Sequence, residues 1–233
     1  MWGHSSFFDD MIVLSKSAEE RRDHLIVVFR ELRKNRLLIN AKKSELFLEE
    51  IHFLGHIVSK SGVRIDLSKV EAIKSWSDLK SVHDIRSFLD LCFYYKRFIR
   101  HSAEIASPLH ALMKKRVTFK WITFHVDHFS FKHLKEKLTS DPVIILPVLL
   151  KLFVVQCDAC GISFGAVLMQ DDRVVAYESK VFSSRERTLR ICEKEMVAVM
   201  HALSSWKEFL LGADFVVQTD HKTLRYFLTQ AEL

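Results

Sequence analysis

The sequence predicts an α/β (α+β) chain in two unequal parts. Three observations carry that class. Apolar residues recur at helical spacing behind Ser17 and again behind Ser81. Helical periodicity then stops between Asp141-Pro142 and Lys151. Beyond the break the pattern reads strand, strand, strand, helix, strand, helix. The 233 residues suit one or two domains, with 48% hydrophobic and 27% charged residues, as a folded chain requires. Only 6 Gly and 3 Pro argue against collagen-like chains and loop-rich β-sandwiches.

Element by element, Phe7-Phe8, Asp9-Asp10 and Met11-Ile12-Val13-Leu14 read as a strand, a tight turn and a second strand, a hairpin with too few neighbours to bury both faces. Ser17 with Glu20 is a capping-box signature. Leu25, Val28, Phe29 and Leu32 then fall on one face of an amphipathic helix, whose other face carries Arg21, Arg22, Arg30, Arg33 and Lys34. Alternation from Ile51 through Phe53, Gly55 and Ile57, a Ser59-Lys60-Ser61-Gly62 turn, and Val63 and Ile65 read as a second hairpin. Ser81 caps a helix with the stripe Ile85, Phe88, Leu89 and Cys92. In the second part the expected strands are 152–157, 165–170, 174–178 and 215–219, with Asp171-Asp172-Arg173 turning the second into the third. A long helix is expected over 187–211, with Leu189, Cys192, Met196, Val199, Leu203 and Trp206 on or near one face, and a short helix from Lys222.

The remaining composition bounds the setting. The longest apolar stretch, residues 143–155, is broken by Pro147 and Lys151 and falls short of the roughly 18 residues of a membrane span. Asp9 and Asp10 stand where the apolar region of a leader would be, so no membrane partner is expected. Four Cys form no disulfide framework, which points to a reducing, intracellular setting, cytoplasm or nucleus. A net charge of +6 with 12 His permits a polyanionic partner.

Acids fall at strand ends in two places. Asp9 and Asp10 lie at the expected hairpin tip; Asp158 ends the first strand of the second part and Asp220 the fourth, with Glu195 inside the helix between them. Clustered carboxylates repel one another unless divalent cations occupy the site. Mg²⁺ takes oxygen ligands, and two ions can activate an attacking oxygen and stabilise the leaving one. The bland alternative, a solvated Asp-Asp turn, is weakened by the apolar strands on both sides and by the separate acidic trio.

On these residues the sequence resembles the polymerase polyprotein of gypsy-type long-terminal-repeat retrotransposons, over essentially the whole chain. Phe7-Phe8-Asp9-Asp10-Met11-Ile12-Val13-Leu14-Ser15 is similar to the Tyr-x-Asp-Asp hairpin of the reverse transcriptase palm. Phe53-Leu54-Gly55-His56 with Gly62-Val63 is similar to the hairpin leading out of it. Arg86-Ser87-Phe88-Leu89 and Tyr94-Tyr95-Lys96-Arg97-Phe98-Ile99 resemble the thumb and connection. Phe153-Val154-Val155-Gln156-Cys157-Asp158-Ala159, Gly165-Ala166-Val167-Leu168, Glu193-Lys194-Glu195-Met196-Val197-Ala198-Val199 and Thr219-Asp220-His221-Lys222-Thr223-Leu224 resemble the tethered ribonuclease H domain.

The resemblance implies a partial palm over 1–66, a helical thumb and connection over 67–141, and a ribonuclease H-like mixed-sheet domain over 142–233 lacking its C-terminal elements. It implies Asp9 and Asp10 as palm metal ligands and Asp158, Glu195 and Asp220 as catalytic metal ligands of the nuclease, with Mg²⁺ or Mn²⁺ as cofactor. Glu195 is preferred to Glu193 because the family's ligand directly precedes the apolar run. The implied activities are RNA-directed DNA polymerisation on a primer-template and cleavage of the RNA strand of an RNA–DNA hybrid. Departures set limits on both. The first palm acid, the fingers and the fourth nuclease acid are not in the sequence, so both activities are expected to be incomplete and deoxynucleotides to bind only if fingers are supplied. Two alternatives stand beside this reading: a catalytically dead nucleic-acid-binding remnant, and a chain that associates with other, full-length polymerase chains.

Other motifs carry weaker expectations. Cys157 and Cys160 form a C-x-x-C pair without a second pair, and are expected to be incidental. His125, His128 and His133 suit no common zinc spacing and are expected on a surface helix. His52 and His56 are expected on one face of one strand, too far apart to chelate together. The basic face of the first helix is a candidate nucleic-acid contact. Tyr94 and Tyr95 could stack on a primer strand, with packing the favoured role.

Overall fold

The computed structural model describes residues 3–7, 10–15, 17–115, 117, 119, 121, 126–140 and 142–219. Asp9, His125, Asp141, Asp220 and the helix expected from Lys222 lie outside them. The chain divides into two units, Met1–Lys60 and Ser61–Leu233. The architecture is mixed α/β, as the hydrophobic patterning required.

In the first unit, β1 (Gly3–Phe7) pairs antiparallel with β2 (Asp10–Leu14), and Phe7 stands opposite Asp10. Asp10 is therefore the first residue of a strand rather than part of a turn. Helix α1 (Ala18–Lys34) starts at Ser17, whose hydroxyl accepts the Glu20 N–H at 3.1 Å. Glu19 and Glu20 in its first turn and Arg33 and Lys34 in its last both favour the helix dipole. The expected apolar face is only partly covered: Leu25, Val28 and Leu32 are half-buried and Phe29 is exposed. The buried position is His24, which pairs through Nδ1 with Ser15 Oγ at 2.8 Å. A two-stranded hairpin is too small to bury a whole helix face.

Strands β3 (Glu50–Phe53) and β4 (His56–Ser59) form an antiparallel hairpin, with Phe53 opposite His56 and His52 opposite Ile57. They are joined at Leu54 and Gly55, both at positive φ (48° and 69°). That tight turn corrects the single alternating run expected from Ile51 to Ile57. It sets His52 and His56 on opposing strands.

The second unit opens with β5 (Gly62–Ile65), whose Val63 bridges Ile144. A Cβ at Gly62, where φ is +138°, would fall 2.3 Å from the Ile144 carbonyl oxygen, so only glycine fits. Helices α2 (Leu67–Lys74), α3 (Val82–Tyr94), α4 (Ser102–Leu112) and α5 (Val126–Thr139) follow, with a short 3₁₀ turn at Lys96–Phe98. Ser81 caps α3 by accepting the Asp84 N–H, and Ile85, Phe88, Leu89 and Cys92 are buried, as the stripe predicts. Phe88 packs edge-on against Trp76 and Phe131, with ring centroids 5.6 and 4.7 Å apart. Tyr95 belongs to this core at 1% exposure, and burial pushes its hydroxyl up to about 12. His128 is also buried, against Trp121, which corrects the expected surface position. On α5 it shares the inward face with Phe131 and Leu134, while His133 is exposed.

Behind this helical core lies a four-stranded sheet of β6 (Phe153–Ala159), β7 (Ser163–Gln170), β8 (Arg173–Val181) and β9 (Phe215–Gln218), in the order β8-β7-β6-β9. Pairing is antiparallel except for β6 with β9, which is parallel. The long helix expected over 187–211 is two helices, α7 (Ile191–Ser205) and α8 (Lys207–Leu210), preceded by a separate short α6 (Ser184–Arg187). Local capping breaks it. Ser183 and Glu186 form a capping box at α6, and Glu193 accepts the Arg190 N–H at 2.7 Å to start α7. Its buried line runs through Glu195, Ala198, Val199 and Ala202, while Cys192, Met196 and Leu203 are half-buried. Small residues face the sheet because α7 lies directly across β6 and β7. Among the described residues no helix is long and apolar enough to cross a membrane.

Candidate functional site

Strand β6 alternates: Phe153, Val155, Cys157 and Ala159 are buried, whereas Gln156 and Asp158 face the open side. Asp158 stands opposite Gly165 of β7. On its other side β6 runs parallel to β9, and Gln156 Nε2 donates to Gln218 Oε1 at 3.0 Å. Parallel pairing brings the C-terminal ends of β6 and β9 to one end of the sheet. Asp158 and Thr219 lie at that end and line one cleft.

Glu195 projects from α7 into that end and is 2% exposed. Its Oε1 accepts the Ala159 N–H at 3.1 Å, and its Oε2 accepts the Thr219 hydroxyl at 3.4 Å. A buried carboxylate needs such donors to offset lost hydration. Burial, with the charge of Glu195 added to it, pushes the Cys157 thiol up to about 12. Glu193 points elsewhere: it is exposed and occupied with the helix start. The oxygen donors of Asp158 and Glu195 are the hard ligands that Mg²⁺ or Mn²⁺ prefers. Among the described residues no group of three or more His, Cys, Asp or Glu is arranged to hold a metal. Asp220, the third acid of the expected trio, follows Thr219 in sequence but lies outside the described residues.

The remaining sequence candidates separate. Asp10 is exposed, and its neighbour Asp9 is outside the described residues. Arg22, Arg30 and Arg33 are exposed on α1, but Arg21 is half-buried and its Nη1 donates to the Leu48 carbonyl at 2.8 Å. Tyr94 is exposed and Tyr95 is not. Cys157 is buried in the sheet, and Cys160 is exposed with its Sγ 3.3 Å from Ser163 Oγ.

The sequence reading missed the surroundings of Asp158. A cleft of about 280 Å³ opens over it, walled by Arg100, His101, Gly165, Gln218 and Thr219. A Cβ at Gly165 would fall 2.6 Å from Cε1 and Nδ1 of His101. An isolated glycine inside a strand is a signal of close approach, and Gly165 carried it. Nothing local in the sequence marks Arg100 or His101.

Residues 149–233 match the RNase H-like domain found in reverse transcriptase, and residues 2–58 match reverse transcriptase (RNA-dependent DNA polymerase). The chain is 34% identical over 221 residues to the retrovirus-related Pol polyprotein from transposon 297 of Drosophila melanogaster, covering 94% of this chain and 21% of the relative. It is 33% identical to the corresponding polyprotein from transposon opus, covering 95% of this chain and 24% of the relative. The Tf2-3 polyprotein of Schizosaccharomyces pombe is 29% identical, with 94% and 17% covered. The chain thus spans about a fifth of the length of these curated relatives. Among solved structures, the foamy viral protease-reverse transcriptase dRH in complex with double-stranded DNA superposes with a TM-score of 0.84 at 21% identity, over 98% of this chain and 41% of that one. The foamy viral protease-reverse transcriptase in complex with RNA/DNA hybrid gives 0.82, also at 21% identity, over 99% and 32%. At that identity the likeness shows a shared fold. With a reverse transcriptase segment ahead of an RNase H-like domain and homology over most of its length, the chain belongs to the Pol polyprotein family of gypsy-type retrotransposons.

Proposed function

We propose that the second unit is a metal-dependent nuclease acting on the RNA strand of RNA–DNA hybrids, and that the first unit contributes to an RNA-directed DNA polymerase of the same polyprotein. The observation that carries the nuclease reading is Glu195. It is a buried carboxylate held by the Ala159 N–H and the Thr219 hydroxyl, at the sheet end that bears Asp158. The names of the structural relatives, solved with double-stranded DNA and RNA/DNA hybrid, support a duplex substrate. Asp158, Glu195 and Asp220 would hold Mg²⁺ or Mn²⁺ in the nuclease, and Asp9 and Asp10 in the palm.

When bound, such cations supply activation of the attacking oxygen and stabilisation of the leaving one. The chain's own contribution is positional. The Ala159 N–H, next along β6 from Asp158, fixes one Glu195 oxygen, and the Thr219 hydroxyl fixes the other. Recognition of the duplex would rest on backbone and A-like shape rather than base edges. On α1, Arg22, Arg30 and Arg33 are the available phosphate contacts. Arg21 is committed to Leu48 and Tyr95 to the core, which leaves Tyr94 as the exposed member of the tyrosine pair.

The test is Mn²⁺ affinity by calorimetry together with Mn²⁺-dependent cleavage of a labelled hybrid. Asp158→Asn and Glu195→Gln should each lose Mn²⁺ binding, and Glu193→Gln should keep it. Equal Mn²⁺ affinity in all four proteins would overturn the assignment.

A further inference from the structure

We propose that Arg100 and His101 form a phosphate-gripping wall of the Asp158 cleft, so that the nuclease site draws substrate contacts from the helical segment ahead of its sheet. This rests on the nuclease reading of Asp158 and Glu195. It adds a second source of contacts, from a part of the chain far from those acids in sequence.

The wall is held from both sides. On one side Lys96 Nζ lies 2.9 and 3.2 Å from the two oxygens of Glu178, a buried carboxylate of β8. On the other, Ser179 Oγ accepts the Ala103 N–H at 2.9 Å and lies 3.0 Å from Ser102 Oγ. Ser179 thereby supplies the cap that His101, at the N-cap of α4, does not make with its own side chain. Arg100 and His101 lie between these two anchors on β8, and both line the cleft.

Conformation and space point the same way. His101 sits at φ 56°, a left-handed position that costs a non-glycine residue energy and persists only where its surroundings impose it. Its ring occupies the space left by the missing side chain of Gly165, directly across the strand pair from Asp158. Among the described residues, the side chains of Arg100 and His101 make no hydrogen bond or ion pair. Beside Asp158, on the β9 side of the cleft, the Gln156 and Gln218 amides bond to each other and add no charge.

The cleft therefore sets a carboxylate on β6 beside two uncommitted nitrogen-bearing side chains that reach it over β7. A phosphodiester backbone fits that polarity: one phosphate near the cation-holding acids, another on the wall. Such contacts set the register of the duplex without reading its sequence.

The experiment uses the full chain and a fluorescent RNA–DNA hybrid, with Ca²⁺ present and affinity measured over a series of salt concentrations. Arg100→Ala should weaken binding about tenfold, the effect of one hydrogen bond to a charged group. It should also flatten the slope of log affinity against log salt by about one unit. A merely structural residue would not move that slope. Gly165→Ala places a methyl group against the His101 ring, leaves the acids untouched, and should weaken binding in the same direction; circular dichroism checks its fold. Wild-type affinity and slope in both variants overturn the wall, as does a wild-type chain that does not bind the hybrid. Failure of the underlying reading looks different: Asp158→Asn then leaves Mn²⁺ affinity unchanged, whatever the binding series gives.

Discussion

The hairpin that carries Asp10 and the sheet that carries Asp158 both present an acid near a strand end, yet they fix it very differently. In β2, Ile12 is buried while Asp10 and Met11 are exposed. In β6, four alternate residues are buried, a helix crosses them, and a parallel neighbour joins on the far side. The lesson is about register. Burial of one face forbids a one-residue slip, which would send every apolar side chain to the wrong side. Asp158 is held in place by its buried neighbours Cys157 and Ala159. Asp10 has a pairing partner in Phe7, and on its own strand β2 the one buried position is Ile12.

The sharpest way to break this comparison is to weaken each region's packing. Phe153→Ala, at a fully buried position of β6, should cost about 3–5 kcal/mol, read as a lowered denaturation midpoint. A cost below about 1 kcal/mol would mean that the sheet does not depend on that face.

A smaller loss should follow from Ser17→Ala, which removes the hydroxyl that caps α1. About 1 kcal/mol is expected, since little else anchors that helix start. If hydrogen exchange in the first turn of α1 is unchanged, the cap is not what holds it.

Acid sharpens the comparison from the other unit. Burial raises the Glu178 carboxyl, but its contacts with His201 and Lys96 outweigh that and hold it below its ordinary value of 4.5. A carboxyl lowered in the folded state stabilises the fold above its unfolded value and loses that contribution as pH falls through the folded one. Wild type should therefore exceed Glu178→Gln in melting temperature at neutral pH, with the gap closing as pH falls below 4.5. A gap that does not change with pH would remove the ionised pair from the account.

The smallest effect belongs to the first unit. Phe29→Ala on the exposed part of α1 should change stability by no more than about 0.5 kcal/mol. A larger loss in thermal unfolding would show that this face is covered in solution.

Much of this was legible in residue order alone, because local patterns have local causes. The Ser81 cap, the Ile85 to Cys92 stripe, the Asp171-Asp172 turn and four strands follow from period and turn chemistry. Both residues of that turn sit at positive φ, 49° and 57°, as a tight hairpin demands. Of the two acids weighed on the resemblance, Glu195 is buried and Glu193 is exposed at the helix start. What the sequence misjudged depended on neighbours distant along the chain. The helix over 187–211 is broken where capping side chains compete with periodicity, and His128 is buried because Trp121 and the α5 core surround it. Arg21, expected on the basic face of α1, is drawn into a bond with the Leu48 carbonyl, while Tyr95 takes the packing role that the sequence favoured.

Residue order alone carried the kinds of element and the family resemblance. Tertiary structure decided that Glu195 reaches the Ala159 N–H and the Thr219 hydroxyl. That division has a physical reason. Helix period and turn chemistry act over a few residues, whereas the meeting of Ala159, Glu195 and Thr219 requires parallel pairing of strands some sixty residues apart. The seat of His101 over Gly165 needs, further, a helix start fastened to a different strand, and no window of sequence contains both.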